Sequence, residues 1–410
     1  MKKIVILGAG TGGTMMANKL RAALSRDEWS ITIIDRDNRH IYQPGLLFIP
    51  FGIYKPSDVV KTRRELLPAG VDFVIDEITK VDPEANLVQT RNHRFTYDWL
   101  IIATGCRLAP EEVAGMAEGM GKNVHDFYTL EGATRLAKAM RAFDGGRLVM
   151  HISEMPFKCP VAPIEFVFLA DWYFQERGIR DKVEIEFVTP LGGMFTKPIA
   201  TRAFSAAAQE KGIKVTPEFN IVAVDHGART IEGADGRTIG FDLLVTIPPN
   251  MGAQALIDSG VSDELGWVGT DHHTLKAKKY PNVYVIGDTT NVPTSKAGSV
   301  AHFESEVLSE NLLREIEGMA PLPRFDGHSN CFIESGFNKA YLIDFNYKTE
   351  PLPGKFPMPA LGPFDLLGDT EANHMGKLLF KWTYWHVLLK GVEIPVVGPE
   401  MSMLGKRLAG

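Results

Sequence analysis

The order of apolar segments predicts an α/β protein with two Rossmann-like dinucleotide-binding domains and a C-terminal amphipathic helical tail. A short apolar strand runs into a glycine cluster at residues 8–13, strands and helices then alternate, and a later strand ends in Gly-Asp at 287–288. Because this later strand repeats the opening pattern after a second α/β block, we expect the first domain to be discontinuous. The predicted boundaries are 1–122 with 270–320 for the first domain, 123–269 for the second, and 321–410 for the C-terminal region.

The individual elements are predicted from the spacing of apolar residues. Short apolar runs that stop at a glycine or an acidic residue indicate buried parallel strands, and apolar residues recurring every three or four positions indicate helices. The predicted strands are 3–7, 30–34, 97–105, 147–152, 183–188, 241–247 and 282–288. One predicted helix follows the glycine cluster, and the others are 130–143, 163–177, 201–211, 298–313 and 375–390.

The composition excludes several classes of protein. With 410 residues, 45% hydrophobic and 23% charged, the chain matches globular proteins and neither disordered nor fibrous ones. A net charge of -6 argues against a general nucleic-acid binder. Three cysteines are too few for a disulfide-stapled secreted domain, and none lies in a Cys-x-x-Cys motif.

The hydropathy of the chain predicts no secretory signal and no membrane span. The first apolar run, residues 4–7, ends at the glycine cluster, whereas a signal peptide needs a longer apolar region and a small-residue cleavage site. No stretch of eighteen apolar residues occurs. We therefore expect a protein that is either soluble or bound to a membrane surface.

The glycine cluster has the spacing Gly8-x-Gly10-x-x-Gly13 between a predicted strand and a predicted helix. Glycines there let the backbone approach a pyrophosphate, whose charge meets the free N–H groups of the helix N-terminus. Asp35 ends the second strand, where it can accept hydrogen bonds from a ribose hydroxyl. The pattern predicts a dinucleotide site and leaves NAD and FAD open, with a plain strand–helix turn as the alternative.

Two further strand ends favour FAD over NAD. Thr104-Gly105 and Gly287-Asp288 resemble the downstream fingerprints of FAD-binding reductases with two dinucleotide folds. That resemblance implies that Asp288 binds the ribityl chain. Lys296, before the next helix, would stabilise charge on the reduced ring, the alternative being a solvated loop lysine. The expected FAD-binding residues are Gly8, Gly10, Thr11, Gly12, Gly13, Asp35, Pro44, Ile78, Thr104, Gly105, Gly287, Asp288 and Lys296.

The second domain lacks the glycine motif that a nicotinamide cofactor would need. After the strand 147–152, the turn 153–163 has no glycine, three prolines and a carboxylate at Glu154. Proline removes N–H donors and the carboxylate would repel phosphate. We therefore expect electrons to reach the flavin from a donor other than NAD(P)H.

This glycine-free turn contains Cys159, and Cys331 lies beyond the first domain. With the three FAD fingerprints, the Cys159-Pro160 turn, Glu165 and the Cys331-Phe332 pair, the whole chain resembles the sulfide:quinone oxidoreductases. These enzymes are related to the flavin subunit of flavocytochrome c sulfide dehydrogenase and to type II NADH dehydrogenases. For each cysteine the alternative is an inert buried thiol.

The resemblance implies a redox bridge between Cys159 and Cys331 beside the flavin. Hydrosulfide attacks one sulfur of the bridge, leaving a persulfide and a thiolate; two electrons enter FAD, and sulfur or polysulfide is released. By the resemblance Cys331 faces the flavin, an assignment that the sequence itself leaves open. Glu165 is the expected proton acceptor, with a capping or solvated carboxylate as the alternative.

Two departures from the family pattern affect the cofactor and the product. Residues 127–130 lack the third active cysteine of many members, and Cys106 is interpreted as a bystander. The loop 41–45 also lacks the cysteine that attaches the flavin in the flavocytochrome subunit. We therefore expect FAD to be bound non-covalently, and the sulfur product could differ from that of three-cysteine members.

The predicted tail helix, 375–390, has Leu378, Trp382, Trp385 and Leu389 at helical spacing, with lysines beside them. Tryptophan and lysine around an apolar stripe are typical of a helix in a membrane interface. Packing against the protein's own core is the alternative. The resemblance implies a monotopic protein that takes quinone from the bilayer, and the quinone-site candidates are Phe380, Trp382 and Tyr384.

The sequence therefore predicts an FAD enzyme on the membrane surface, with sulfide as donor and membrane quinone as acceptor. Its alternatives are a type II NADH:quinone oxidoreductase, a sulfide dehydrogenase with a cytochrome partner, and a non-catalytic flavin-binding protein. No metal and no nucleic acid is expected. Self-association into a homo-oligomer and the side of the membrane stay open.

Overall fold

The computed structural model describes residues 1–359 and 362–408. The strands, β1 to β24 in chain order, are Lys2–Leu7, Trp29–Asp35, Arg39–Ile41, Val60–Thr62, Asp72–Ile75, Ile78–Asp82, Leu87–Thr90, Arg94–Thr96, Trp99–Ile102, Arg107–Leu108, Val124–His125, Gly146–Ile152, Val183–Val188, Lys214–Thr216, Ile221–Asp225, Thr230–Gly233, Thr238–Gly240, Leu243–Ile247, Asn250–Met251, Val283–Val285, Ser329–Gly336, Lys339–Phe345, Gly354–Phe356 and Phe364–Leu366. The helices, α1 to α9, are Thr11–Ala23, Arg63–Leu66, Met116–Gly119, Leu130–Ala142, Ala162–Glu176, Pro198–Glu210, Gln254–Asp258, Gly298–Ile316 and Glu371–His386. Short 3-10 helices include Gln43–Phe48 and Leu388–Lys390.

The first sheet is parallel, in the order β20-β9-β1-β2-β5. Its central strand β1 is apolar on both faces, and Ile4, Val5, Ile6 and Leu7 are all buried. From β1 the chain proceeds to β2 on one side, whereas β9 returns on the other. The strand order therefore reverses at the carboxyl end of β1, the place where open α/β sheets bind their ligands.

The second sheet is also parallel, in the order β11-β18-β12-β13-β14. Helix α5 follows β12 and packs against this sheet and against β21. Most of the helix is buried around its whole circumference, as expected for a uniformly apolar helix that lies between two layers. The turn at 153–161, between β12 and α5, is thereby fixed at the carboxyl end of the second sheet.

The C-terminal region forms a third sheet, in the order β21-β22-β24-β23, with α9 packed on β21 and β22. The apolar pattern did not predict β21. The segment Ser329–Gly336 mixes polar and apolar residues without alternation, since two layers cover it and even Glu334 and Ser335 are buried. This strand positions Cys331 in the middle of the molecule.

The predicted fold class is confirmed: each predicted strand and helix is present, with ends that differ by a few residues. The antiparallel sheets β6-β7-β8 and β15-β16-β17 were not predicted, because their short strands lack a clear apolar alternation. The domain boundaries stay a prediction. Within the described residues, no helix combines the length and the apolar character needed to cross a bilayer.

The predicted apolar stripe of α9 is divided between two environments. Trp385 is buried in the core, whereas Trp382 is 57% exposed together with Met375 and Leu379. Leu389 is also buried but lies beyond the end of α9, in the 3-10 helix Leu388–Lys390. Lys377, expected beside the stripe at the surface, is buried instead. Core packing and an exposed apolar face therefore occur on the same helix.

Candidate active site

A cavity of about 780 Å³ lies where the three sheets and α9 meet. Its wall combines the glycine turn after β1, the ends of β2 and β9, the turn before α5, and residues of α8, β21 and α9.

The glycine turn is packed too closely for a side chain at two of its positions, Gly8 and Gly13. A Cβ at Gly13 would lie 1.9 Å from the carbonyl oxygen of Gly8, and one at Gly8 would lie 2.4 Å from that of Ala103. Gly8 also has a φ of +93°, which favours glycine. Helix α1 begins behind this turn without a capping side chain among the described residues. Its N-terminal N–H groups are therefore free for an anion such as pyrophosphate.

Asp35 organises the same turn from the end of β2. Its Oδ2 accepts a hydrogen bond from the backbone N–H of Ala9 at 2.7 Å, and its Oδ1 lies 2.6 Å from Nη1 of Arg63. Arg63, which the sequence analysis did not select, also donates a hydrogen bond to Asp37. The carboxylate therefore keeps the turn in register with β2 while it borders the cavity.

The Gly287-Asp288 turn is supported from helix α8. The backbone N–H of Gly287, with φ at +77°, donates a 2.6 Å hydrogen bond to Oε2 of Glu304. Glu304 is buried, and burial raises its pKa to about 7. Thr104, at the end of β9, pairs its hydroxyl with that of Thr289 at 3.2 Å. The two strand ends that favoured FAD are thus joined beside the cavity.

Lys296 is a buried lysine and not a solvated one. Its Nζ donates hydrogen bonds to the carbonyl oxygens of Asp288 and Thr290, each at 2.7 Å, and lies 4.3 Å from the ring centroid of Trp267. Burial lowers the pKa of Lys296. The Lys296 side chain borders the cavity, and the N–H groups of its ammonium stabilise the Asp288 turn.

Cys159 lies in the glycine-free turn with a left-handed backbone, φ +51°. Its N–H donates to the carbonyl oxygen of Lys296 at 2.7 Å, and its own carbonyl accepts from the Tyr128 hydroxyl at 2.8 Å. These bonds maintain a conformation that a non-glycine residue rarely adopts. Burial, with Glu165 nearby, raises the pKa of the Cys159 thiol to about 12.

Cys331 lies on β21 and borders the same cavity as Cys159. Burial raises the pKa of Cys331 to about 11, although the nearby charge of Lys377 opposes the shift. Both thiols are free in this structure. The charges of Lys377 and Glu165 act on both thiols, Lys377 lowering and Glu165 raising each pKa.

Glu165 and Lys377 form a buried ion pair in the wall between the cysteines and α9. Lys377 Nζ lies 2.6 Å from Glu165 Oε1 and donates a second hydrogen bond to the Phe332 carbonyl at 3.0 Å. The same Oε1 accepts the N–H of Glu334 at 2.9 Å. Burial raises the pKa of Glu165. Burial lowers the pKa of Lys377, but Glu165 together with Cys159 and Glu334 outweighs this effect, so the pKa of Lys377 is raised.

The structure brings almost all of the sequence-selected residues to one wall or another of the cavity. Of the expected FAD-binding residues, Gly13 alone is outside the lining, since it packs behind Gly8. Of the quinone candidates, Trp382 points away from the cavity and is exposed. The selected residues that border the cavity are Gly8, Gly10, Thr11, Gly12, Asp35, Pro44, Ile78, Thr104, Gly105, Cys159, Glu165, Gly287, Asp288, Lys296, Cys331, Phe380 and Tyr384.

Cys106, interpreted as a bystander, also borders the cavity. Its Sγ lies 3.5 Å from Oδ1 of Asn250 and 3.8 Å from Oδ2 of Asp288. Burial raises the pKa of the Cys106 thiol to about 12. Its neighbours are thus acceptors that favour the neutral thiol.

Comparison with known proteins connects this geometry to a family. A family model of pyridine nucleotide-disulphide oxidoreductases matches residues 2–149. A mitochondrial sulfide:quinone oxidoreductase of Dictyostelium discoideum is 30% identical over 398 residues, which cover 95% of this chain and 86% of that protein. The chain belongs to the sulfide:quinone oxidoreductase family.

Two further comparisons agree with this membership. A mitochondrial sulfide:quinone oxidoreductase of Mus musculus is 29% identical over 398 residues, covering 95% of this chain and 86% of that protein. The crystal structure of the sulfide:quinone oxidoreductase from Aquifex aeolicus has the same fold, with a TM-score of 0.78 at 20% identity over 96% of this chain and 92% of that chain. A flavin cofactor follows from family membership, and the geometry of the glycine turn, Asp35 and the Asp288 turn fits such a group.

Three residues of this site, Lys377, Arg63 and Glu304, were not selected from the sequence. A lysine beside the apolar stripe of an amphipathic helix is expected to be exposed, so no local pattern identified Lys377 as a partner of Glu165. Arg63 and Glu304 contact turns that lie 26 and 17 residues away in sequence, beyond the reach of a local pattern. A charged residue inside a helix that is otherwise buried, as Glu304 is in α8, was the one available signal.

Proposed function

We propose that the protein oxidises sulfide to sulfur or polysulfide at the Cys159–Cys331 pair and passes two electrons through non-covalently bound FAD to a membrane quinone. The observation that carries the proposal is that both cysteines and the dinucleotide turn border one cavity. The turn before α5, where a nicotinamide-binding relative needs glycine, here carries Cys159. The loop 41–45 offers no thiol for covalent attachment.

The chemistry begins with the two cysteines joined as a disulfide. Hydrosulfide attacks the Cys159 sulfur, the S–S bond breaks, and Cys331 leaves as the thiolate while Cys159 keeps a persulfide. The direction is the one in which Cys331, the cysteine expected to face the flavin, becomes the thiolate. FAD, when bound, accepts the two electrons released as sulfide becomes zero-valent sulfur and delivers them to quinone.

Lys377 stabilises the negative charge that this step creates, and Glu165 accepts the proton that it releases. The Lys377 ammonium stabilises the thiolate on Cys331, whose pKa it lowers against the effect of burial. Glu165 accepts the proton that hydrosulfide loses, since a buried carboxyl with a raised pKa takes up a proton more readily. Once the persulfide and the thiolate have been oxidised to a closed bridge again, with bound FAD as the two-electron acceptor, another hydrosulfide can attack. The chain therefore grows by one sulfur for every two electrons removed, until sulfur or polysulfide leaves.

The proposed access of quinone, the electron acceptor, depends on helix α9. Phe380 borders the cavity, while Met375, Leu379 and Trp382 form an exposed apolar face on the same helix. Such a face is suited to shallow insertion into a bilayer. We propose peripheral attachment through this face, with quinone reaching the cavity beside Phe380 and Tyr384.

Anaerobic reduction of the purified yellow protein tests the proposal. Sulfide should bleach the flavin absorbance near 450 nm within the turnover time, and NADH should not. Cys159→Ser and Cys331→Ser should each retain FAD and abolish bleaching by sulfide. Cys106→Ser is the matched control and should behave as the wild type.

Each alternative gives a different outcome in this experiment. Rapid bleaching by NADH would indicate a type II NADH:quinone oxidoreductase and overturn the proposal. Sulfide reduction with electron transfer to a cytochrome but not to a quinone would overturn the acceptor assignment. A flavin that neither donor reduces would indicate a non-catalytic flavin protein.

A further inference from the structure

A chain of three side chains links the tail helix to the glycine turn. The hydroxyl of Tyr384 on α9 lies 2.8 Å from Thr11 Oγ1, at the start of α1, and 2.7 Å from Nε2 of His40. All three residues border the cavity, and Tyr384 and His40 are otherwise buried. Gly298, where α8 begins, is close to both Thr11 and Tyr384, since its Cβ would lie 4.0 Å from each side chain.

The chemistry of the three groups allows two directions for the chain. Burial, with Arg63 nearby, lowers the pKa of His40 to about 3 against the opposing effect of the Ala9 backbone, so the ring is neutral and carries a single proton. With that proton on Nδ1, Nε2 accepts from Tyr384, and Tyr384 accepts from Thr11. With the proton on Nε2, His40 donates to Tyr384, and Tyr384 donates to Thr11.

The second of these directions leaves the hydroxyl proton of Thr11 available to an acceptor at the glycine turn. In the opposite direction Thr11 would donate its hydroxyl proton to Tyr384 and would offer only acceptor lone pairs at the glycine turn. The pyrophosphate expected at this turn is an anion, so it favours the direction that begins at His40. This order of donors thus connects the anion to a residue on α9.

We propose that Tyr384 is a positioning residue for the flavin pyrophosphate, acting through Thr11, and that cofactor retention and docking of helix α9 are thereby coupled. The inference rests on the flavin site of the proposed function and assigns Tyr384 a role other than contact with quinone. If the Tyr384 hydroxyl had no such role, phenylalanine would pack equally well at this position against Tyr42 and Trp385.

A double-mutant cycle on the holoenzyme tests the coupling. Tyr384→Phe and Thr11→Val each remove one hydroxyl with little change in shape, and Thr11→Ser retains the hydroxyl. FAD release after dilution is followed by the fluorescence of the free flavin. Each loss should speed release roughly tenfold, the double variant should release no faster than the single variants, and Thr11→Ser should match the wild type. Tyr341→Phe, outside the cavity lining, controls for loss of a tyrosine hydroxyl.

Amide hydrogen exchange of residues 371–386 in the same holoenzymes gives a second readout. Thr11→Val, although located on α1, should accelerate exchange in α9 as Tyr384→Phe does. The inference would be overturned if the two substitutions multiplied each other's effect on the FAD release rate. It would also be overturned if Tyr384→Phe released FAD at the wild-type rate, or if amide exchange in α9 were unchanged in Thr11→Val. No sulfide is added, so failure of the sulfide reaction would not alter any of these results.

Discussion

The ammonium group of Lys377 lies 2.6 Å from the carboxylate of Glu165, and both side chains are buried. Lys377 belongs to α9 and Glu165 to α5, so the pair joins the tail helix to the helix that follows the Cys159 turn. Two opposite charges removed from water depend on each other, because either one alone would remain uncompensated. The pair therefore links stability to the charge balance around both cysteines.

Replacing Lys377 by methionine should destabilise the protein and slow the sulfide reaction. The buried Glu165 loses its partner, at a cost of about 3 kcal/mol in the free energy of unfolding. The Cys331 thiolate loses a stabilising cation, so flavin bleaching by sulfide should slow roughly tenfold or more. Urea unfolding and anaerobic stopped-flow absorbance measure the two effects.

The double variant Glu165→Gln with Lys377→Met separates these effects. It removes both charges, so it should recover much of the lost stability while bleaching remains slow. Full recovery of the bleaching rate in this double variant would contradict the assigned role of Lys377.

Because of the buried carboxyl of Glu334, we expect the free energy of unfolding to decrease as the pH rises. Burial raises its pKa from 4.5 to about 8, and Nδ1 of His374 lies 3.0 Å from its carboxylate. A raised carboxyl pKa means that the folded protein binds more protons than the unfolded chain between these values. The stabilisation is complete below pH 4.5 and is lost as the pH rises through 8.

Glu334→Gln should remove that dependence. Thermal unfolding at pH 7 and pH 8 should show a smaller decrease in melting temperature for the variant than for the wild type. His374 acts in a different range: burial lowers its pKa below 6.5, so its effect is confined to more acidic conditions. An identical decrease in both proteins between pH 7 and pH 8 would show that Glu334 does not titrate there.

Glu304 should control retention of the flavin by supporting the Gly287-Asp288 turn. Glu304→Ala leaves the Gly287 N–H without its 2.6 Å acceptor, and an unpaired buried donor costs about 1–3 kcal/mol. Glu304→Gln keeps an acceptor oxygen and serves as the matched control. FAD content after gel filtration should decrease in the alanine variant and stay near the wild-type level in the glutamine variant; equal content in both would argue against this role.

The cofactor cradle could be predicted from sequence because its determinants are local. Gly8, Gly10 and Asp35 act within one β-α-β unit, whose spacing is set by the fold. The Glu165–Lys377 pair could not be found in this way, since the partners come from helices far apart in sequence. Lys377 also shows that an amphipathic pattern does not decide which side of a helix faces solvent when the helix lies between a core and an exposed edge.

The exposed apolar face of α9 should determine membrane attachment without affecting the sulfide reaction. Leu379 and Trp382 are 58% and 57% exposed, whereas a monomer in water gains nothing from apolar side chains placed there. Replacing both by serine should lower binding to vesicles of phosphatidylcholine and phosphatidylglycerol about tenfold or more, because each inserted side chain contributes about 1.5–3 kcal/mol. Val222→Ser with Leu265→Ser, at positions 45% and 44% exposed elsewhere on the surface, is the control. Bleaching by sulfide should be unchanged in both double variants, so unaltered vesicle binding would place the attachment surface elsewhere.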